Sequence, residues 1–169
     1  MIKVSALLLV CTLLIFFTTR LVSTKYGTMV ASRFLEKSSG YTAETLQNWV
    51  TKNSEDARRY VIPVLFPLDL LFMSFLAATL AVFSTWLVQS IGWLNRFVWA
   101  VTLLPALYVT ADLVEGLLLA RLLTNPTVIN HASVTITQVV TQTKILLFIL
   151  ALGQTGVLGI IALIFHRSI

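Results

Sequence analysis

Three carboxylates and one ammonium stand where charges are expensive. Asp69, Asp112 and Glu115 lie inside long apolar stretches, and Lys144 lies just inside another. The chain is 57% hydrophobic and 11% charged, so each of the four needs a physical reason to be there. A charge at the centre of a membrane-spanning helix costs about 2.5–3.5 kcal/mol on insertion scales and faces a bundle interior or a water-filled cavity. Asp112 and Glu115, three residues apart, share one face of a helix. Such a set can do one of three things. It can form a structural network in which Lys144 neutralises one carboxylate and an Arg takes another. It can build a polar pocket that binds a small polar or lipid head group, or that moves protons. Or its carboxylates can hold a hard cation, although the Glu-x-x-His pattern of di-iron bundles is absent.

The elements that must position these groups are legible from hydropathy. Mean hydropathy is +0.90, and four apolar segments, near 3–22, 64–88, 97–122 and 141–165, reach the roughly 20 helical residues needed to cross about 30 Å of hydrocarbon. Backbone polar groups in lipid must be satisfied within the segment, and these runs do not alternate as barrel strands would. The expectation is an all-α integral membrane four-helix bundle, a single transmembrane domain over 1–169, with a structured helical loop at 23–62. Asp69 would then lie one and a half turns into the second span, roughly 8 Å from the loop-one side. Glu115 would lie about two turns, on the order of 10 Å, from the exit of the third span on that same side. Lys144 enters the fourth span from there too. Arg20, Arg58, Arg59 and Arg121 fall just above this slab as interfacial partners.

The first segment has the outline of a signal sequence, Lys3 followed by an apolar run. Its exit, Thr18-Thr19-Arg20-Leu21, has no small-x-small cleavage pattern, and Cys11 comes too early, after too large a Val10, for a lipobox; an uncleaved helix is expected. In loop one, Thr42 caps a short helix through Trp49 whose apolar side carries Leu46, Trp49 and Val50. With Trp49 toward lipid, that helix would lie on the bilayer surface. Ser54, Glu55 and Asp56 start a second helix that runs through Arg58, Arg59 and Tyr60. Pro63 and Pro67 mark a kink or junction into the second span. The short stretch 89–96 makes spans two and three antiparallel. Asn125-Pro126 is a helix start, so span four begins early and projects from the membrane. Pro105 reads as a kink that opens a cavity beside Asp112. Ala151, Thr155 and Gly159, with Gly153 and Gly156, give span four a small-sided face for close packing, within the monomer or against another membrane subunit.

Other classes recede. The net charge of +5 is explained by Lys and Arg at membrane interfaces, and no separate basic domain exists to grip nucleic acid. Cys11 is the only cysteine, which excludes an intrachain disulfide or a CxxC pair. There is no G-x-S-x-G and no H-E-x-x-H, so Ser74 and Ser84 read as helix-packing residues. His131 and His166 lie outside the slab; neither a metal nor a cofactor is implied. By the Lys and Arg count, the loop-one side, with Arg20, Lys25, Arg58 and Arg59 plus Arg121 and Lys144, faces the cytoplasm, against Lys3, Arg96 and Arg167 on the other side. A Lys3-led first helix argues the reverse.

The runs Tyr41-Thr42-Ala43-Glu44-Thr45-Leu46, Asp56-Ala57-Arg58-Arg59-Tyr60 and Phe66-Pro67-Leu68-Asp69 resemble an uncharacterised family of small bacterial four-span integral membrane proteins. So do Leu104-Pro105, Asp112-Leu113-Val114-Glu115 and Thr141-Gln142-Thr143-Lys144, and the pieces cover most of 41–150 in order. The family's third-span motif has Asn after the Glu; Gly116 stands there in this chain, which removes one polar contact. The resemblance implies a fold, these polar positions and a bacterial inner membrane, and no activity. The functional expectation is a binding or accessory subunit of a larger membrane complex, with the lipid bilayer as its medium. The alternative is an intramembrane enzyme or proton-handling protein using Asp69, Asp112 or Glu115 as acid and base. Four-span sterol isomerase-like proteins show that such chemistry fits the architecture, but their motifs are absent here, so the likeness is one of form.

Overall fold

The computed structural model describes residues 2–25 and 41–166, all helix, turn or short connection. The elements are α1 (Ile2–Ser23), α2 (Ala43–Lys52), α3 (Ser54–Arg59), a broken connector (Tyr60–Asp69), α4 (Leu70–Ser90), α5 (Val98–Thr124) and α6 (His131–His166). Four helical stretches, Val4–Ser23, Ser54–Ser90, Asn95–Thr124 and His131–Phe165, are long and apolar enough to cross a membrane. The chain is an all-α bundle. Large apolar side chains such as Leu14, Leu21, Leu117, Ile149 and Leu163 point outward, an arrangement that suits lipid and would be a severe liability in water. Arg167, and the side chains of Lys3 and His166, lie outside the described residues.

Helices α4, α5 and α6 pack on one another, while α1 packs along α4 and the connector and has no sustained packing against α5 or α6. Between α4 and α5 the chain reverses through Gly92, whose φ of 59° is open to glycine at little cost. Buried hydroxyls join the helices: Ser84 meets Thr155 at 2.8 Å and Thr12 meets Thr79 at 3.2 Å. Ser84 therefore packs helices, as its isolation in the sequence suggested.

Two boundaries differ from expectation. Regular helix in the second span begins at Leu70, not near 64, because Ile62 and Phe66 are extended (φ −130° and −128°). Each precedes a proline, whose ring pushes the residue before it out of the helical region. Asp69 accordingly sits at the N-terminus of α4 and not one and a half turns inside a helix. The fourth helix starts at His131, after a short turn at Pro126–Val128. Asn125 does cap, but it caps that turn, accepting from Thr127 N. The start of α6 is secured by Asn130 and Ser133, each backbone N–H bonding the other's side chain, a reciprocal box of the kind that satisfies helix-end donors. At 36 residues and ~1.5 Å per residue, α6 spans about 54 Å, well beyond the hydrocarbon, so it does project.

That projection decides the fate of loop one. Thr42 caps α2 in a capping box with Thr45. Leu46 and Val50 are then buried against Val61, Val64, Leu119, Leu122, Leu123, Ile129 and Val134, with Trp49 partly buried on the same cluster. The apolar face of α2 is directed at the protruding ends of α5 and α6 and not at lipid. Protein surface was available within reach, and it covered the stripe.

Pro105 is fully buried and α5 continues through it. Proline has no N–H, so the carbonyl of Val101 loses its helical donor. Gln154 of α6 supplies the replacement, its Nε2 donating to Val101 O at 2.7 Å. Gln154→Ala should therefore cost about 1 kcal/mol, the scale of polar contacts between membrane helices, and cost much less in a Pro105→Ala background, where residue 105 regains its N–H. A double-mutant cycle in detergent tests this. Strictly additive effects would show that Gln154 does not serve the proline.

Candidate functional site

The site is built on facing turns of α5 and α6. Asp112 and Glu115 are 4% and 3% exposed, and both point at Lys144. Lys144 donates to Glu115 Oε2 in a tight ion pair. Its Nζ also lies 3.2 Å from Asp112 Oδ1, close enough for attraction but outside hydrogen-bond geometry, since that oxygen has no hydrogen-bond partner. Thr141, one turn before Lys144, donates its hydroxyl to Glu115 Oε1, with the Thr137 carbonyl as its other acceptor at 3.1 Å. Glu115 is therefore engaged at both oxygens, and Asp112 is held mainly by charge.

Asp69 approaches from a different direction. The broken connector delivers it to a cavity of about 190 Å³. Phe16, Arg20 and Ser23 of α1, Tyr60 and Val64 of the connector, Phe72 and Met73 of α4, Glu115 and Gly116 of α5, and Lys144 of α6 line the same space. Every long helix thus contributes to one wall. Among the described residues Asp69 makes no hydrogen bond and no ion pair. Its carboxylate is the one uncommitted acid of the three. Nearby, Tyr108 donates its hydroxyl to Met73 Sδ and packs on Phe148 at 5.5 Å between ring centroids.

Asp69, Glu115 and Lys144 line one cavity, and Asp112 reaches it through Lys144. Of the four arginines proposed as partners, Arg20 lines the cavity, with its guanidinium 5.9 Å from the Phe16 ring centroid. Arg59 pairs instead with Glu55 one turn away on the exposed face of α3, the shorter path for a flexible side chain. Arg58 is exposed on the same short helix. Arg121 lines a separate groove with Leu118, Thr127 and Ser133. The cavity takes its α5 wall from Glu115, Gly116 and Leu119 and does not extend to Pro105. Pro105 borders a separate groove with Ala77, Ala81 and Thr102 instead. Ala151 is fully buried and Thr155 is 9% exposed. These two positions, expected as a possible subunit face, lie inside the chain's own helix packing, while Gly159 borders an apolar groove with Trp86 and Phe165.

No family model matches the chain, and no curated protein or solved structure does. The likeness to small four-span bacterial proteins thus rests on the residues quoted for it. Gly116 gives that likeness a structural content. Gly116 lines the cavity, and an ideal Cβ there would meet Phe66 Cζ at 3.5 Å, an ordinary contact.

Thr141 was not foreseen as a site residue. Its signal was available in its spacing, three residues before Lys144 and so on the same helix face. Among the described residues no group of three or more His, Cys, Asp or Glu is arranged to hold a metal ion; the space between Asp112 and Glu115 is filled by the Lys144 ammonium. Above the site, burial pushes the Tyr41 phenol up to about 12, with the charge of Glu115 adding to the effect.

Two outcomes follow. Lys144→Met, which keeps the apolar stem, should destabilise by roughly 3–5 kcal/mol, the cost of breaking a buried pair; Lys144→Glu should cost more, since it adds a fourth acid to three. Thermal melts in the opposite order would show that Lys144 is not the counter-ion. For Tyr41, the unfolded chain releases the phenol proton near 10 and the folded chain near 12. Stability should be intact below pH 10 and fall as pH rises from 10 to 12. Tyr41→Phe should flatten that fall; an unchanged slope in alkaline melts would refute it.

Proposed function

We propose that this protein is a bacterial inner-membrane binding protein whose cavity receives the polar end of a small amphiphile, acting on its own or as an accessory subunit of a larger membrane complex. One observation carries the reading. All four long helices line a cavity that holds two cations, Arg20 and Lys144, and two carboxylates, Asp69 and Glu115. A network serving stability alone has no use for an opening of that size beside its ion pairs, since unfilled space lowers stability. A space of about 190 Å³ suits a head group.

The alternative, an intramembrane enzyme or proton-handling protein, is favoured at one residue only. Asp69 is uncommitted and lines the cavity, as an acid–base group must. Asp112 and Glu115 are bound to Lys144, which disfavours them in that role.

Gly116→Leu tests the binding reading. Gly116 lines the cavity and a Cβ there meets only an ordinary contact, so the variant should fold and, with a bulky side chain on the cavity wall, retain several-fold less co-purifying amphiphile by native mass spectrometry. Gly116→Ala should retain nearly the wild-type amount. Equal retention in Gly116→Leu and wild type would sink the cavity as a binding site.

A further inference from the structure

The cavity has a polarity that bears on what enters it. Its outer wall is the last turns of α1, with Arg20 at the interfacial end and exposed. Its inner wall is α5 and α6, where Lys144 has already met Asp112 and Glu115. Asp69 lies between, at the head of α4, without a direct partner. A ligand therefore meets a guanidinium first and an uncommitted carboxylate further in. Guanidinium groups bind phosphate oxygens through paired N–H donors. A carboxylate accepts N–H donors and favours a cation.

The route of access is equally specific. Among the described residues α1 has no sustained packing against α5 or α6, and the seam between the outer and inner walls is the side from which a head group would enter, with its chains left in the bilayer.

We propose that the cavity selects a phosphoethanolamine group, a phosphate linked by two carbons to a primary ammonium, with Arg20 holding the phosphate and Asp69 the ammonium. This rests on the binding reading above and sharpens it. The amine must carry N–H bonds. A trimethylated nitrogen keeps its charge but offers Asp69 no donor, and a glycerol head group offers no cation. The seam points to the aminophospholipid as the source; the free phosphoethanolamine molecule has the same chemistry.

The experiment uses the full chain in nanodiscs containing equal parts phosphatidylethanolamine, its N-methylated series, phosphatidylcholine and phosphatidylglycerol, followed by release into detergent and native mass spectrometry of retained lipid. Phosphatidylethanolamine should be enriched about tenfold over phosphatidylcholine and over phosphatidylglycerol, with enrichment falling at each added methyl group. This arm needs no variant. Asp69→Asn should bring the ratio of phosphatidylethanolamine to phosphatidylglycerol close to one, and Arg20→Gln should reduce retention of both. Thermal protection by phosphatidylethanolamine alone assigns the lipid as ligand; equal protection by free phosphoethanolamine assigns the soluble molecule. Lipid retained without preference among head groups, yet lost in Gly116→Leu, would overturn this inference and leave the binding reading standing. No difference in retained lipid between Gly116→Leu and wild type would overturn both.

Discussion

The Lys144 ammonium, caught between Asp112 and Glu115, is the constraint from which the rest of the bundle is set. Two carboxylates on one face of α5 cannot be turned toward lipid without a large penalty. They cannot face each other without a cation either. Lys144 resolves both problems and, in doing so, fixes the rotation of α5 against α6. Thr141 locks the register by bonding the second oxygen of Glu115. The remaining contacts between these helices agree with that register. Gln154 lands opposite the carbonyl freed by Pro105. Tyr108 and Phe148 stack one turn away. A shift by a single residue would lose the polar partners together.

The connector obeys a different constraint. Two prolines four residues apart extend Ile62 and Phe66, and the chain between α3 and α4 cannot become one straight helix. An unbroken helix would carry Asp69 one turn and a half below its start, at a rotation set by the 3.6-residue period. The broken path allows Tyr60, Val64 and Leu65 to roof the cavity while Asp69 lines it. The carboxylate is thereby placed beside Lys144 without being claimed by it. The prolines thus do locally what no ion pair does for Asp69: they position it.

How much of this was readable beforehand depends on the range of the physics involved. The four spans, the all-α class, the Thr42 cap and the shared face of Asp112 and Glu115 follow from local periodicity and hydropathy, which a single sequence contains. The choice of Lys144 as counter-ion followed from depth, which is nearly local once the spans are known. What depended on tertiary proximity was read less well. Leu46, Trp49 and Val50 were recognised as an apolar stripe, but whether lipid or protein covers a stripe is decided by how far α5 and α6 protrude. Ala151 and Thr155 were recognised as small, but a small face does not state which helix will use it. Pro105 was read as a kink; the rescue of the carbonyl it leaves free by Gln154, more than fifty residues away, left no local mark.

These pieces place the cavity between two walls of unequal firmness. Its inner wall is α5 and α6, joined by buried charge and by hydrogen bonds of about 1 kcal/mol each. Its outer wall is α1, the least buried of the four long helices, which packs on α4 and the connector through apolar contact and the Thr12–Thr79 hydroxyl pair. Apolar contact between helices in a bilayer gains little, because lipid tails are as apolar as the neighbouring side chains. Displacing the end of α1 therefore costs less than separating α5 from α6. A charged, fixed wall opposite a weakly held one is the arrangement a lateral binding site needs. In that reading Asp69, at the head of α4, stays in place while the wall that carries Arg20 yields. Under the proposed binding role, the mixed charges of the cavity and the loose attachment of α1 are two parts of one construction.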